Sequence, residues 1–292
     1  MVHGVAMIQT IVERLREGLD GFPATERRVA HQLLAEYPVA GLQSATQLAR
    51  AVGVSPPTVL RLVGRLGFAS YLDFQRSLRE ELSAQLSSPL AKQPAPVRKG
   101  RLGKPEPAHA EFSDAILRNL QQTFASVSPG EFDAIVHLVS DPRLRIHLIG
   151  GRFTDALAVY LSVQLRILRP GVSHMQEQES NWRDQLLDMG KRDVLLIFDI
   201  RRYQASLQRL ANAAAARQVR IVLLTDQWLS PIVRVATHVL SARVAVPSVW
   251  DSSTALMALS EWLLAEVSRQ GWDKSRRRIE ELEVMLGGEK QP

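Results

Sequence analysis

Apolar residues in the first part of the chain recur with the period of a helix. From Met7 to Leu19 they fall at Ile8, Ile11, Val12, Leu15 and Leu19, and Gly21 then supplies a stop. The spacing predicts a second helix from near Thr25, with Glu26 in its first turn. Its inner stripe would be Val29, Ala30, Leu33 and Leu34, and it would end before Pro38. Ala45 to Arg65 then reads ATQLARAVGVSPPTVLRLVGR, the spacing of a helix-turn-helix. Leu48, Ala49 and Val52 form one face of a short first helix. Gly53 stands where the chain must turn through a left-handed conformation, and Val54 plugs that turn. Ser55 is placed to cap a second helix buried through Val59, Leu62 and Val63. Pro56 and Pro57 are tolerated there, because the first helical positions need no intrahelical N–H partner. An ordinary helical hairpin would also satisfy this pattern. After Gly67 a further helix is expected, with Phe68, Tyr71, Leu72, Phe74 and Leu78 as an apolar, core-forming face.

The pattern lapses between Ser83 and Ala110. Five prolines alternate there with Lys92, Arg98, Lys99, Arg101 and Lys104, the composition of an extended linker. From Glu111 onward amphipathic helices alternate with short apolar strands. Helices are expected over 112–126, 131–140, 155–168, 182–189, 204–217, 230–236 and 252–269, and strands over 145–151, 171–175, 193–200, 219–226 and 238–244. DVLLIFDI (193–200) is an unbroken apolar run, as a strand covered on both faces requires. This alternation predicts a doubly wound α/β domain around a parallel sheet. Ligands in such sheets bind outside the carboxyl ends of the strands, here Gly150-Gly151, Asp199 to Tyr203, and Thr225-Asp226.

Composition narrows the function classes. The 292 residues suit one large domain or two ordinary ones, and a 46% hydrophobic share is ample for a core. There is no cysteine, so no disulfide or thiolate site, and the 7 histidines do not cluster at ligand spacing. Neither metal nor cofactor is therefore expected. No apolar run is long enough to span a bilayer, and the first residues gain charge too early for a signal peptide, so a cytoplasmic protein without membrane contact is expected. The net charge of +6 is uneven: residues 1–110 carry 14 Lys+Arg against 9 Asp+Glu, residues 111–292 carry 22 against 21. The excess lies beside the helix-turn-helix, where a polyanion surface would need it.

Residues 22–82, above all VSPPTVLRLVGRLGF and YLDFQ, resemble the N-terminal domain of the RpiR/MurR family of bacterial transcription regulators. Residues 111–270 resemble the SIS (sugar isomerase) domain that these regulators carry as a sensor. The resemblance implies an all-α helix-turn-helix domain (1–82), a Pro-rich basic linker (83–110), an α/β SIS-like sensor (111–270) and a charged C-terminal tail (271–292). It implies a homodimer or homotetramer on double-stranded DNA, with a palindromic operator. Thr46, Ser55, Pro57, Thr58, Arg61 and Arg65 are the candidate DNA contacts, as phosphate anchors or base readers.

Carry-over is weaker in the sensor. The family's Gly-x-Gly-x-Ser loop matches Gly150-Gly151-Arg152-Phe153-Thr154, with Arg152 in place of the second glycine and Thr154 keeping a hydroxyl. Its Ser-x-Ser-Gly-x-Thr phosphate loop matches Asp199-Ile200-Arg201-Arg202-Tyr203-Gln204, where every small hydroxyl residue and the glycine are gone. Gly151, Arg152, Thr154, Asp199, Arg201, Arg202 and Tyr203 are the candidate ligand residues. Arginine forks bind carboxylate or phosphate, so a small anionic effector remains open. So does a remodelled pocket closed by pairing of Asp199 with Arg152. A SIS-type isomerase is the alternative function, with His174, Glu177 and Glu179 available as bases. A non-specific nucleic-acid binder would rest on the basic linker alone.

Overall fold

The computed structural model describes residues 9–86, 108–175 and 178–287, and the chain divides into two units, Met1–Lys92 and Gln93–Pro292. Among the described residues the first unit is helical: α1 Ile11–Gly18, α2 Ala24–Ala35, α3 Val39–Leu42, α4 Ala45–Val52, α5 Pro56–Arg65 and α6 Tyr71–Leu86. Thr10 and Glu13 close a capping box at the start of α1, and Ser44 and Gln47 do so at α4, satisfying N–H groups that a helix start leaves orphaned. Leu15, Val29, Leu33, Leu48, Val59, Leu62, Phe74 and Leu78 share one core. Leu72, expected on that face, is 66% exposed. It lies about 200° around the helix from Phe74, so burying Phe74 and Leu78 turns it outward.

Gly53 takes the left-handed conformation the turn requires, with φ 66°. Ser55 does precede α5, but its hydroxyl caps no backbone N–H; it meets Thr58 Oγ1 at 3.0 Å. The two prolines explain the difference. Pro57 has no N–H to offer, and the Thr58 N–H is already donated to the Ser55 carbonyl at 2.9 Å.

The second unit begins with α7 Ala108–Ser126 and α8 Pro129–Ser140. There follow β1 Arg145–Gly150, α9 Asp155–Leu168, β2 Val172–His174, α10 Trp182–Leu186, β3 Asp193–Asp199 and α11 Ala205–Ala216. The unit closes with β4 Arg220–Asp226, β5 His238–Ala242, α12 Thr254–Gln270 and α13 Trp272–Met285. The strands form one parallel sheet in the order β2-β1-β3-β4-β5, and β3 is buried throughout. Leu195, Ile197, Ile221 and Leu223 pack against Leu207, Leu210 and Ala214 of α11 and Trp182 and Leu186 of α10. In a second layer of helices, Phe132 of α8 stacks on Trp262 of α12 at 3.7 Å between centroids.

Four expectations shift. Residues 230–236 form only a 3-10 turn, Pro231–Arg234, and the helix expected over 182–189 ends at Leu186. Helices α6 and α7 run into both ends of the expected linker, whose residues 87–107 lie outside the described ones. The charged segment after residue 270 carries α13, which docks on α9: Ser275 Oγ donates to the Leu168 carbonyl at 3.1 Å, and Arg278 to the Arg166 carbonyl at 2.8 Å. No helix among the described residues is long and apolar enough to cross a membrane. The sheet order reverses direction between β1 and β3, so a crevice opens beyond the carboxyl ends of these two strands.

Candidate DNA-reading helix and effector site

Burial divides α5 along its length. Thr58, Val59, Leu62 and Val63 face the core, whereas Pro56, Pro57, Leu60, Arg61, Gly64 and Arg65 face outward with Ser55 ahead of them. Thr46 is exposed at the start of α4. Of the six candidate DNA contacts, Thr58 alone is buried, and its hydroxyl meets Ser55 Oγ and accepts from Arg61 Nη2 at 3.1 Å. Arg61 and Arg65 extend into solvent along their stems but lean on Glu26 of α2, with N···O distances of 3.7 and 2.9 Å. Glu26 itself is 3% exposed, so one buried carboxylate sets the resting position of both cations. Arg28 donates to the Gly53 carbonyl at 2.7 Å and steadies the turn. Sequence reasoning placed Glu26 only as a first-turn acid and passed over Leu60. Its signal was present, since Leu60 lies off the stripe of Val59, Leu62 and Val63.

At the crevice of the second unit, Gly151 and Thr154 face each other. The Gly151 N–H is shared between the Phe198 carbonyl at 3.0 Å and Thr154 Oγ1 at 2.9 Å, and the Thr154 hydroxyl donates to the same carbonyl at 2.7 Å. That hydroxyl therefore stitches the loop to β3. A side chain at Gly150 would strike the Asp155 backbone, its Cβ lying 2.4 Å from the amide nitrogen, so glycine permits this close passage.

Asp199 is buried. It accepts from Ser230 Oγ at 2.5 Å and from the Gln204 N–H at 3.3 Å, and burial pushes its carboxyl up to about 6. The pairing of Asp199 with Arg152 does not form; the Arg152 guanidinium lies 5.2 Å above the Phe153 ring. Asp226, fully buried, accepts from the Arg201 N–H at 2.5 Å, the Tyr203 hydroxyl at 2.8 Å and the Trp228 N–H at 2.9 Å. Burial lifts its carboxyl to about 6 despite those donors. Arg201 is buried as well, bonded to Asp251 at 2.6 Å and stacked 4.3 Å over Trp228. Arg202, in a left-handed conformation at φ 70°, faces solvent. The crevice thus has a buried acid-and-hydroxyl floor. Its rim is cationic and aromatic, for Phe153 and Trp250 are 58% and 54% exposed and meet at 5.4 Å.

Two of the candidate bases are engaged in side-chain pairs, His174 beside the crevice loop. His174 Nε2 bonds Asp155 at 2.8 Å, Glu179 pairs with Arg209 at 2.7 Å, and Glu177 lies outside the described residues. Among the described residues no group of three His, Asp or Glu side chains could hold a metal ion.

Residues 9–85 match the helix-turn-helix domain of the rpiR family, and residues 138–265 match the SIS domain. The chain thus carries an rpiR-family helix-turn-helix domain with a SIS domain behind it. No curated protein matches it. Among solved structures, it is similar to the sugar isomerase domain of an RpiR transcription factor from Sphaerobacter thermophilus. The two are 26% identical over 60% of this chain and 97% of that one, with a TM-score of 0.57. It also shares its fold with the Vibrio vulnificus NanR protein complexed with ManNAc-6P, at 20% identity over 95% of this chain and 98% of the other, TM-score 0.54. An rpiR-family helix-turn-helix joined to a SIS domain is the architecture of a ligand-sensing, DNA-binding regulator.

Proposed function

We propose that this chain is a cytoplasmic, homo-oligomeric transcription regulator. It reads a palindromic operator with α5 and takes a small anionic effector at the crevice beyond β1 and β3. The observation that carries this reading is the outward face of α5, which presents Arg61 and Arg65 on a rigid helix beside Thr46, Ser55 and Pro57. Thr58 acts from beneath, holding Arg61 in place. In the crevice, Arg152 and Arg202 on the rim are the groups that meet an anion, together with the backbone at Gly151. Thr154, Asp199, Arg201 and Tyr203 shape the floor through their internal bonds. The sugar phosphate held by the NanR relative is the first ligand to test. A carboxylate is the second, because the small hydroxyl cradle for phosphate is replaced here. We propose no catalytic residue: His174 is bonded to Asp155 and Glu179 to Arg209, and the two pairs share no partner.

Footprinting of the full chain on genomic fragments tests the DNA half. Protection of a discrete palindrome is expected, and uniform coverage would overturn it. A thermal-shift screen of sugar phosphates and dicarboxylates tests the effector half. A hit whose shift is unchanged in Arg152→Ala and Arg202→Ala would remove those residues from the site.

A further inference from the structure

The outward face of α5 is not uniformly polar. Leu60 sits in its middle, 48% exposed, beside Arg61 and one turn beyond Pro56 and Pro57. A single exposed leucine is ordinary on a protein surface. This one is accompanied by a second anomaly. Gly64, one turn on, is a glycine inside a helix with ordinary backbone angles, and a Cβ there would meet no atom within 4 Å. Glycine in such a place weakens a helix relative to alanine. Among the described residues nothing asks for it. An external surface that comes close to the helix backbone would.

The chemistry of Leu60 then restricts what that surface presents. Nearly every major-groove feature of a base pair is a hydrogen-bond donor or acceptor, and pressing a leucine on one would strip its water without replacement. The largest apolar feature of the groove is the thymine 5-methyl group. Arg61 next to Leu60, and Arg65 beyond it, keep the same face attractive to a polyanion.

We propose that Leu60 reads a thymine methyl in each half-site, with Gly64 leaving room for the helix to enter the groove closely enough to do so. The assignment rests on α5 being the recognition helix. Its test is separable from that reading. The operator is first selected from random duplexes with the full chain, and each thymine of the half-site is then replaced by deoxyuridine, which differs by the methyl alone.

At one position per half-site the replacement should weaken binding about fourfold, the effect of losing one buried methyl group. Leu60→Ala should bind the thymine and uracil duplexes equally well. Because Leu60 is outside the core, the variant's circular dichroism and its affinity for random DNA should match the parent's. Gly64→Ala should raise the thermal transition while lowering operator affinity. Indifference of the parent to every thymine-to-uracil change would overturn the assignment, as would an equal uracil penalty in Leu60→Ala. Failure to select any operator would instead overturn the reading of α5 itself.

Discussion

Arg61 shows how a residue of the proposed DNA face is held before DNA arrives. Its guanidinium is held by the Thr58 hydroxyl and lies near the buried Glu26 carboxylate, so fewer rotamers remain to be lost on binding. If Arg61 contacts a base, Arg61→Ala should cost about 1–3 kcal/mol of specific affinity, with little change for random duplexes. Fluorescence anisotropy on operator and scrambled DNA checks this; equal losses on both would reassign Arg61 to phosphate. In the sensor, the buried carboxyls of Asp199 and Asp226 set a pH dependence. Their folded values, about 6, lie above the ordinary 3.8, so the protonated form suits the fold better than the charged one. Their stabilising contribution is full below about pH 4 and is lost as pH rises through about 6. Asp193 behaves oppositely. Burial pushes its carboxyl up, but bonds from Arg145 and His147 more than offset this and hold it low, so its contribution is lost only under stronger acid. Between about pH 7.5 and about pH 5 the sensor's thermal transition should therefore rise. Asp226→Asn should flatten that rise; a slope identical to the parent's would contradict the account.

At the scale of elements, the turn between α4 and α5 is the joint on which the DNA face depends. Gly53 adopts φ 66° there, and a Cβ at this position would meet nothing within 4 Å. Any penalty for Gly53→Ala is therefore backbone strain, about 1–2 kcal/mol, without a steric clash. A drop in thermal stability of that size is expected, with Gly53→Asn milder because asparagine tolerates the left-handed region. This turn was legible in the sequence because Gly53 sits between two apolar stripes of helical period. The strands were legible for a similar reason: β3 and β4 are long apolar runs, and their positions locate the crevice. What escaped were features set by tertiary contact. The 230–236 segment stays a short turn fixed at its start by Ser230, whose hydroxyl serves both Asp199 and the Ile232 N–H. Helix α13 reads as a charged tail because its anchors are polar bonds to α9 carbonyls and not an apolar stripe. Likewise the partners of Arg201 and Thr154 come from distant strands and loops, so composition of the loop alone suggested ligand-facing groups where internal bonds stand.

At the scale of the whole molecule, the charge bias and the two domains describe a division of labour. The basic excess lies in residues 1–110, whereas the sensor half is nearly balanced. Association with DNA should weaken steeply with salt through the first part, while effector binding at the proposed crevice should depend on a few local arginines. If the two sites are coupled, the coupling must be reciprocal. An effector that lowers operator affinity by some factor must itself bind the DNA-bound protein more weakly by the same factor, whatever physical route connects the units. Allosteric factors of about 5–150 are usual, which places the effect within reach of calorimetry. The effector's dissociation constant should be measured with the full chain alone and with saturating operator. The ratio should equal the ratio of operator dissociation constants measured without and with effector. An effector that binds at the crevice but gives a ratio of one in both directions would make the SIS domain an oligomerisation platform and not a switch. Arg202→Ala should then weaken effector binding alone and in the presence of operator by the same factor, as expected of an exposed cation at the crevice rim in a protein whose two sites are uncoupled.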